Sequence, residues 1–308
     1  MLRLMAYLMM FTLLVLGPAQ ETRRPEATSL LGKPYYAPDQ APEVRAQHET
    51  HLAAAKAGFD KDPSSADAAI WLGRRTAYLG RFRDAISIYT TAIAKHPADG
   101  RLYRHRGHRY ISVREFDLAI ADLSKAAALV SGRDDQVEPD GQPNARNIPT
   151  GTLKTNIYYH LGLAYYLKGD FERAADAYRL CMEHSKNDDM RAAVSHWQYM
   201  TLRRLDRTAE AATVLAPING KMDVFENGSY LKLLLMYKGE LDAAGLLQSA
   251  ARGGLDGATI GYGVANWHFY NGRPDAARVT LTTILESSPQ QWPSFGYVAA
   301  EADLARLR

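Results

Sequence analysis

One spacing constrains this chain more than any other. Ala69, Leu72, Gly73, Thr76, Gly80, Phe82, Ala85, Tyr89, Ala92 and Pro97 place large apolar and small residues at helical intervals on both sides of a glycine. The order returns 34 residues on, from Ala69 to Tyr103, as Tyr103, Gly107, Tyr110, Phe116, Ala119, Leu123 and Ala126. It returns again as Tyr158, Leu161, Gly162, Tyr165, Gly169, Phe171, Ala174, Tyr178 and Cys181. A period of this length is the mark of stacked supersecondary units, each leaving an apolar face that only its neighbour covers. The pattern predicts antiparallel helix pairs, with Gly73 and Gly162 at close helix crossings and Pro97 ending a helix.

The spacing resembles the tetratricopeptide repeat: an aromatic, a Leu-Gly pair, a tyrosine, an Ala-x3-aromatic step and a late proline. Thr76 stands where an aromatic is expected, Arg106 and Arg114 replace a leucine and the turn glycine, and Ser131 replaces a proline. Repeats are placed at 66–99, 100–133 and 155–188, with weaker ones at about 192–225, 225–257 and 258–291. A helix at 43–61 reads as a partial first repeat, and Val298 to Leu307 as an amphipathic closing helix. The resemblance implies an all-α fold, a right-handed superhelical solenoid of antiparallel helix pairs, and peptide or protein binding in its concave groove. The expected organisation is a leader at 20–42 and a single helical-repeat domain at 43–308.

The resemblance also implies which positions face that groove. Carried onto this chain, they include Arg74 and Tyr78, then Arg101, Arg104 and His108, then Tyr159 and Tyr166. Further along come Arg203, Tyr237, Tyr262 and Phe269. The groove is expected to be basic toward its N-terminal half and aromatic toward its C-terminal half. Arg101, Arg104 and His108 form one helical stripe, with Arg74 at the corresponding position of the preceding pair. Like charges so close repel, and arginine suits bidentate capture of carboxylates. An acidic segment or chain terminus is therefore the expected ligand. The Lys/Asn carboxylate clamp known in some members is absent, because Ile70 and Arg74 stand at its positions.

An interruption falls between the second and third clear repeats. Residues 134–154 have no apolar period and begin Asp134-Asp135-Gln136-Val137-Glu138-Pro139-Asp140-Gly141. A disordered excursion and an ordered flap over the groove both fit this stretch, and the acidic part could itself occupy the arginine stripe. The leader carries Pro25, Pro38 and Pro42, and its Tyr35-Tyr36 pair is expected to pin it to the first hairpin.

Composition bears on compartment and chemistry. With 37 basic residues against 34 acidic ones, overall charge makes no case for nucleic-acid binding. Residues 1–19 read as a signal peptide: Arg3, an apolar run from Leu4 to Leu16, and Gly17-Pro18-Ala19 before Gln20. That run is shorter than the roughly 20 residues a spanning helix needs. The expected location is periplasmic or extracellular, with an uncleaved N-terminal anchor as the alternative and no membrane span in the mature chain. The lone Cys181 cannot form an internal disulfide and reads as a small core residue.

No catalytic constellation emerges. Glycine-rich phosphate loops and a Gly-x-Ser-x-Gly elbow are missing from the sequence, and His48-Glu49-Thr50-His51 has the wrong spacing for a zinc helix. Neither a cofactor nor a metal is expected. The leading expectation is a non-enzymatic scaffold for an unidentified protein or peptide. A structural or self-associating envelope module is the alternative, with an enzyme or small-ligand receptor behind it, and a homo-oligomer stays open. Cleavage after Ala19 predicts that mass spectrometry of the mature chain gives Gln20 as its first residue. A cytosolic, soluble chain retaining Met1 would refute export.

Overall fold

The computed structural model describes residues 24–251 and 253–307. The expected signal peptide lies outside the described residues. No helix among the described residues is long and apolar enough to cross a membrane.

Among the described residues, fourteen α-helices follow a short antiparallel ribbon, β1 (Ala27–Thr28) paired with β2 (Pro34–Tyr35). A first helix, α1 (Pro42–Lys61), is followed by six helix pairs. They are α2 (Ala66–Tyr78) with α3 (Phe82–Lys95), α4 (Gly100–Ser112) with α5 (Phe116–Val130), and α6 (Leu153–Lys168) with α7 (Phe171–His184). Then come α8 (Asp188–Arg204) with α9 (Thr208–Leu215), α10 (Gly228–Tyr237) with α11 (Ala243–Ala250), and α12 (Gly254–Tyr270) with α13 (Pro274–Ser287). A single 3-10 turn, Pro289–Gln291, leads into α14 (Phe295–Arg306). The fold is an all-α repeat of stacked antiparallel helix pairs, a tetratricopeptide-like solenoid.

Local chemistry starts the helices where the sequence allows it. Ser65, Asp99, Thr152, Asp170, Asn187 and Asp242 each accept a backbone N–H in the following turn. Within a pair, small residues let the two helices touch. A Cβ added at Gly73 would collide with the Tyr89 ring, one at Gly162 would sit 2.7 Å from that of Tyr178, and one at Gly107 would sit 2.7 Å from Leu123 Cγ. These crossings are where the period placed them. The fourth pair departs from the pattern. Pro217 follows soon after the short α9, and the chain to α10 is held instead by the fully buried Asp189 carboxylate, which accepts from the N–H groups of Phe225, Glu226 and Asn227.

The last helix behaves differently from an amphipathic cap. Every residue from Gly296 to Asp303 is buried, so α14 is enclosed on all sides. It lies against α12, α13 and α6. Phe295 reaches His108, Tyr159 and His160, and Arg306 donates to the Leu167 carbonyl. The chain's own C-terminal helix thus fills part of the concave surface.

The leader joins this end of the molecule rather than the first hairpin alone. Tyr35 stacks on Trp292 at 5.0 Å, and its hydroxyl donates to Glu301. The contact with the first hairpin comes from other groups: Glu26 accepts the Arg83 N–H, and Gln40 donates to the Tyr78 carbonyl. Phe82 completes the closure edge-on to Trp292. The expectation for Tyr35 is therefore corrected, because its aromatic partners lie at the C-terminal end.

Arg114 takes the position of the missing turn glycine, and it adopts the left-handed φ of +68° that Gly80 and Gly169 adopt without strain. The side chain explains why strain is tolerated. Its guanidinium donates to both Glu301 oxygens at 3.2 and 2.9 Å, and to the carbonyls of Ser112 and Trp292. Both side chains are almost wholly buried, at 3% and 0% exposure. Arg114→Gly relieves the backbone yet leaves a buried carboxylate without its cation. A loss of about 3–5 kcal/mol is expected by urea denaturation. A gain in stability would show that the backbone strain outweighs the ion pair.

Candidate functional site

The basic stripe is built by α2 and α4, whose neighbouring faces are set by the tight crossings at Gly73 and Gly107. Two of its arginines, Arg74 and Arg104, are covered by the chain itself. Residues 134–152 form an ordered flap, closed at its base by the bridge Val137–Thr152 and by Asp135, which accepts the Thr152 hydroxyl and the Lys154 N–H. The tip crosses the stripe as irregular chain that bends at Gly141 and Gln142. Arg74 donates to the Pro139 carbonyl at 2.8 Å, Arg75 to the Gly141 carbonyl at 2.7 Å, and Arg104 pairs with Glu138 at 3.0 Å. The Arg104 and Glu138 side chains are 8% and 11% exposed. Arg74, Arg104, Glu138 and Pro139, with Tyr78, Asp140 and Gln142, line a polar cavity of about 350 Å³.

Arg101 has a different role from its neighbours in the stripe. It pairs with Asp99, which caps its own helix, and with Asp67 of the preceding pair, both at 2.6 Å. The Asp99 carboxylate holds its pKa above the usual range. Arg101 is thus a brace between two helix pairs, and Arg74 and Arg104 are the residues that grip the flap. Sequence reasoning missed Arg75, whose cation lies over Trp71 and whose spacing gave no sign of the groove.

Behind Arg104 lies a cluster of nitrogen bases. His105 is stacked on Tyr89 and accepts from Arg104 Nη1 through Nδ1, and His160 Nδ1 donates to the Asn156 carbonyl. His108 and His160 sit ring to ring at 4.2 Å. Desolvation, with the nearby arginine cations second, pushes His105, His108 and His160 well below the usual imidazole range. Burial also lowers Arg109 to about 10. No carboxylate among the described residues other than Glu138 pairs with Arg104 or His105.

The aromatic half of the expected groove is covered. Tyr166 and Tyr262 are fully buried and share a 2.7 Å hydrogen bond. Tyr262 donates onward to Asp303 of α14, which also pairs with Arg204 at 2.6 Å and with Arg306. Tyr159 is buried beside Phe295. Phe269 carries the Arg204 cation on its face, while Arg203 lies over Tyr270 and Tyr237 stacks on Tyr199. These side chains sit on the inner helices as the repeat phase implies, but the closing helix or their own stacking takes up their surfaces. Cys181 is buried and donates to the Thr155 carbonyl, and desolvation raises its thiol pKa. Among the described residues no cluster of three potential metal ligands forms.

Residues 155–188, the pair α6 and α7, match the family model described as tetratricopeptide repeat. Solved structures of similar shape include YrrB, described as a TPR protein with an unusual peptide-binding site, at 13% identity and a TM-score of 0.44 over 82% of this chain and 99% of that one. MamA follows at 18% identity and 0.43, over 65% of this chain and 95% of its own. The C-terminal part of a TPR repeat-containing protein from Cytophaga hutchinsonii gives 16% and 0.38, over 79% and 78%. Comparison with curated proteins gives no significant match.

The buried histidines set a pH dependence. Each is neutral in the fold, and each takes up a proton on unfolding below its ordinary pKa of about 6.5. The unfolded state then binds more protons, so stability falls as pH drops through that value. The slope is about 1.4 kcal/mol per pH unit for each histidine that stays neutral. Urea midpoints at pH 7.5 and 5.5 should therefore differ, and His105→Gln should reduce the difference. Equal midpoints would mean that these rings are charged in the fold.

Proposed function

We propose that this chain is an exported, non-catalytic scaffold that binds an acidic, extended segment of a protein partner across α2 and α4. One observation carries the proposal. This face already holds an acidic segment of the chain, with arginines on two main-chain carbonyls and one carboxylate. Contacts of this kind read a backbone and a charge, and arginine's planar fork suits both. A fold made of helix pairs supplies rigid positions for such donors, and stacking keeps them in register along the solenoid.

The C-terminal half of the concave surface has another task in this proposal. With α14 seated there, its aromatic residues hold the superhelix closed and leave recognition to the basic half. Affinity capture from the native compartment tests the proposal. Wild type is expected to retain a partner that the double variant Arg74→Ala/Arg104→Met releases, with the affinity of the purified pair falling at least about tenfold. Wild-type binding should also weaken more steeply with salt than that of the variant. Equal affinities and salt slopes would remove the basic face as the binding surface.

A further inference from the structure

We infer that Glu138 occupies in cis the place of a partner's carboxylate, so that the Arg104 pocket is a carboxylate-binding site closed by the chain's own flap. This inference rests on the binding role proposed for the α2–α4 face and names both its ligand chemistry and its control.

The pairing at Arg104 is incomplete. Glu138 meets it through one oxygen only, and Glu138 Oε2 and Arg104 Nε are buried without any hydrogen-bond partner. A carboxylate approaching squarely satisfies two guanidinium donors at once. The internal ligand therefore leaves buried polar capacity that a better-placed carboxylate would use.

The tip is also held by exchangeable contacts. Glu138 to Gln142 engage Arg74, Arg75, Arg104 and His48 through polar groups alone. The large apolar residues of the flap stay outside, with Val137 at 65% exposure and Ile148 at 52%. Lifting the tip exposes little apolar surface, so the hydrophobic effect does not oppose it. The rest of the flap is fastened separately: Arg146 pairs with Asp223, and Asn144 and Thr150 bond to Glu226. The two attachments make the tip the moving part and the rest of the flap the tether. A tethered ligand competes at the high effective concentration that a short linker sets.

Gly141 reports how closely the tip is pressed down. A Cβ there would overlap the Tyr78 hydroxyl and lie 2.6 Å from Arg74 Nη2. A branched side chain at this position wedges the tip, Glu138 included, away from Arg104 while leaving both side chains chemically unaltered.

The probe is a fluorescein-labelled peptide copying residues 134–143, added in trans to the full mature chain. Wild type should bind it weakly. Glu138→Gln and, independently, Gly141→Val should each bind it at least about tenfold more tightly. Arg104→Met added to either variant should abolish the gain, as should a peptide with Gln at the Glu138 position. Hydrogen exchange should rise at 138–142 in both variants and stay unchanged in α4 and α6. Binding no tighter than wild type in both variants, or loss of protection throughout α4 in Glu138→Gln, would make Glu138 a structural strut and overturn the inference. Partner capture that needs Arg74 and Arg104 but ignores Glu138→Gln and Gly141→Val would do the same while the binding role stood.

Discussion

The buried carboxylates of α14 hold the rest of the structure in place. Glu301 accepts from the Leu30 N–H, the Tyr35 hydroxyl and the Arg114 guanidinium. Asp303 accepts from Arg204, Arg306 and Tyr262. Burying a charge costs several kcal/mol unless its partners are well placed, so a helix that buries two is tolerated in one seating only. That seating draws on the turn after α4, the end of α8, the middle of α12 and the leader together. Apolar packing brings α14 to the concave surface, and these pairings fix its rotation and depth.

The same chemistry is used at two strengths. On α14 each carboxylate has several donors, and Arg114 keeps a left-handed backbone conformation to provide two of them. At the flap, Glu138 has one donor and an empty second oxygen. Both are acidic groups placed by the chain on its own arginines. The first behaves as a fastening, since removing either partner strands a buried charge. The second is shielded from water by less protein and anchored by no apolar neighbour, which suits a contact made to be exchanged.

What could be seen in the sequence divides along the range of the interactions. Helix pairs were legible because Gly73, Ala85 and Tyr89 lie within one repeat, where local periodicity determines which faces meet. The placement of groove residues on the inner helices followed from the same phase. Their accessibility did not, since Tyr166 and Tyr262 are sealed by Asp303, and nothing near them in sequence announces that helix. The reading of α14 as amphipathic failed for a related reason. Ala299, Ala300 and Ala302 look neutral in a helical pattern, yet they are small enough to be enclosed on every side. Tyr35 was assigned to the nearest hairpin because proximity along the chain was the only guide available. The flap's order was equally hidden, because it arises from polar contacts with α2 and α4 rather than from any apolar period.

The contact of Leu30 with Glu301 spans nearly the whole chain, and it changes what kind of object the solenoid is. An open array of repeats folds by neighbour-to-neighbour propagation, and its end units are free to fray. Here the leader ties the first helix pair to α14, with Glu26 on the Arg83 N–H and Leu30 and Tyr35 on Glu301, so the two are not free of one another. Such a closure pairs segments far apart in sequence, and long-range contacts of this kind are slow to form compared with local helix pairs. The inner surfaces of α4, α6 and α12 that α14 covers stay bare until that helix docks. Assembly therefore has a clasp-open stage, with Tyr159 and Tyr262 bare until α14 is seated on them.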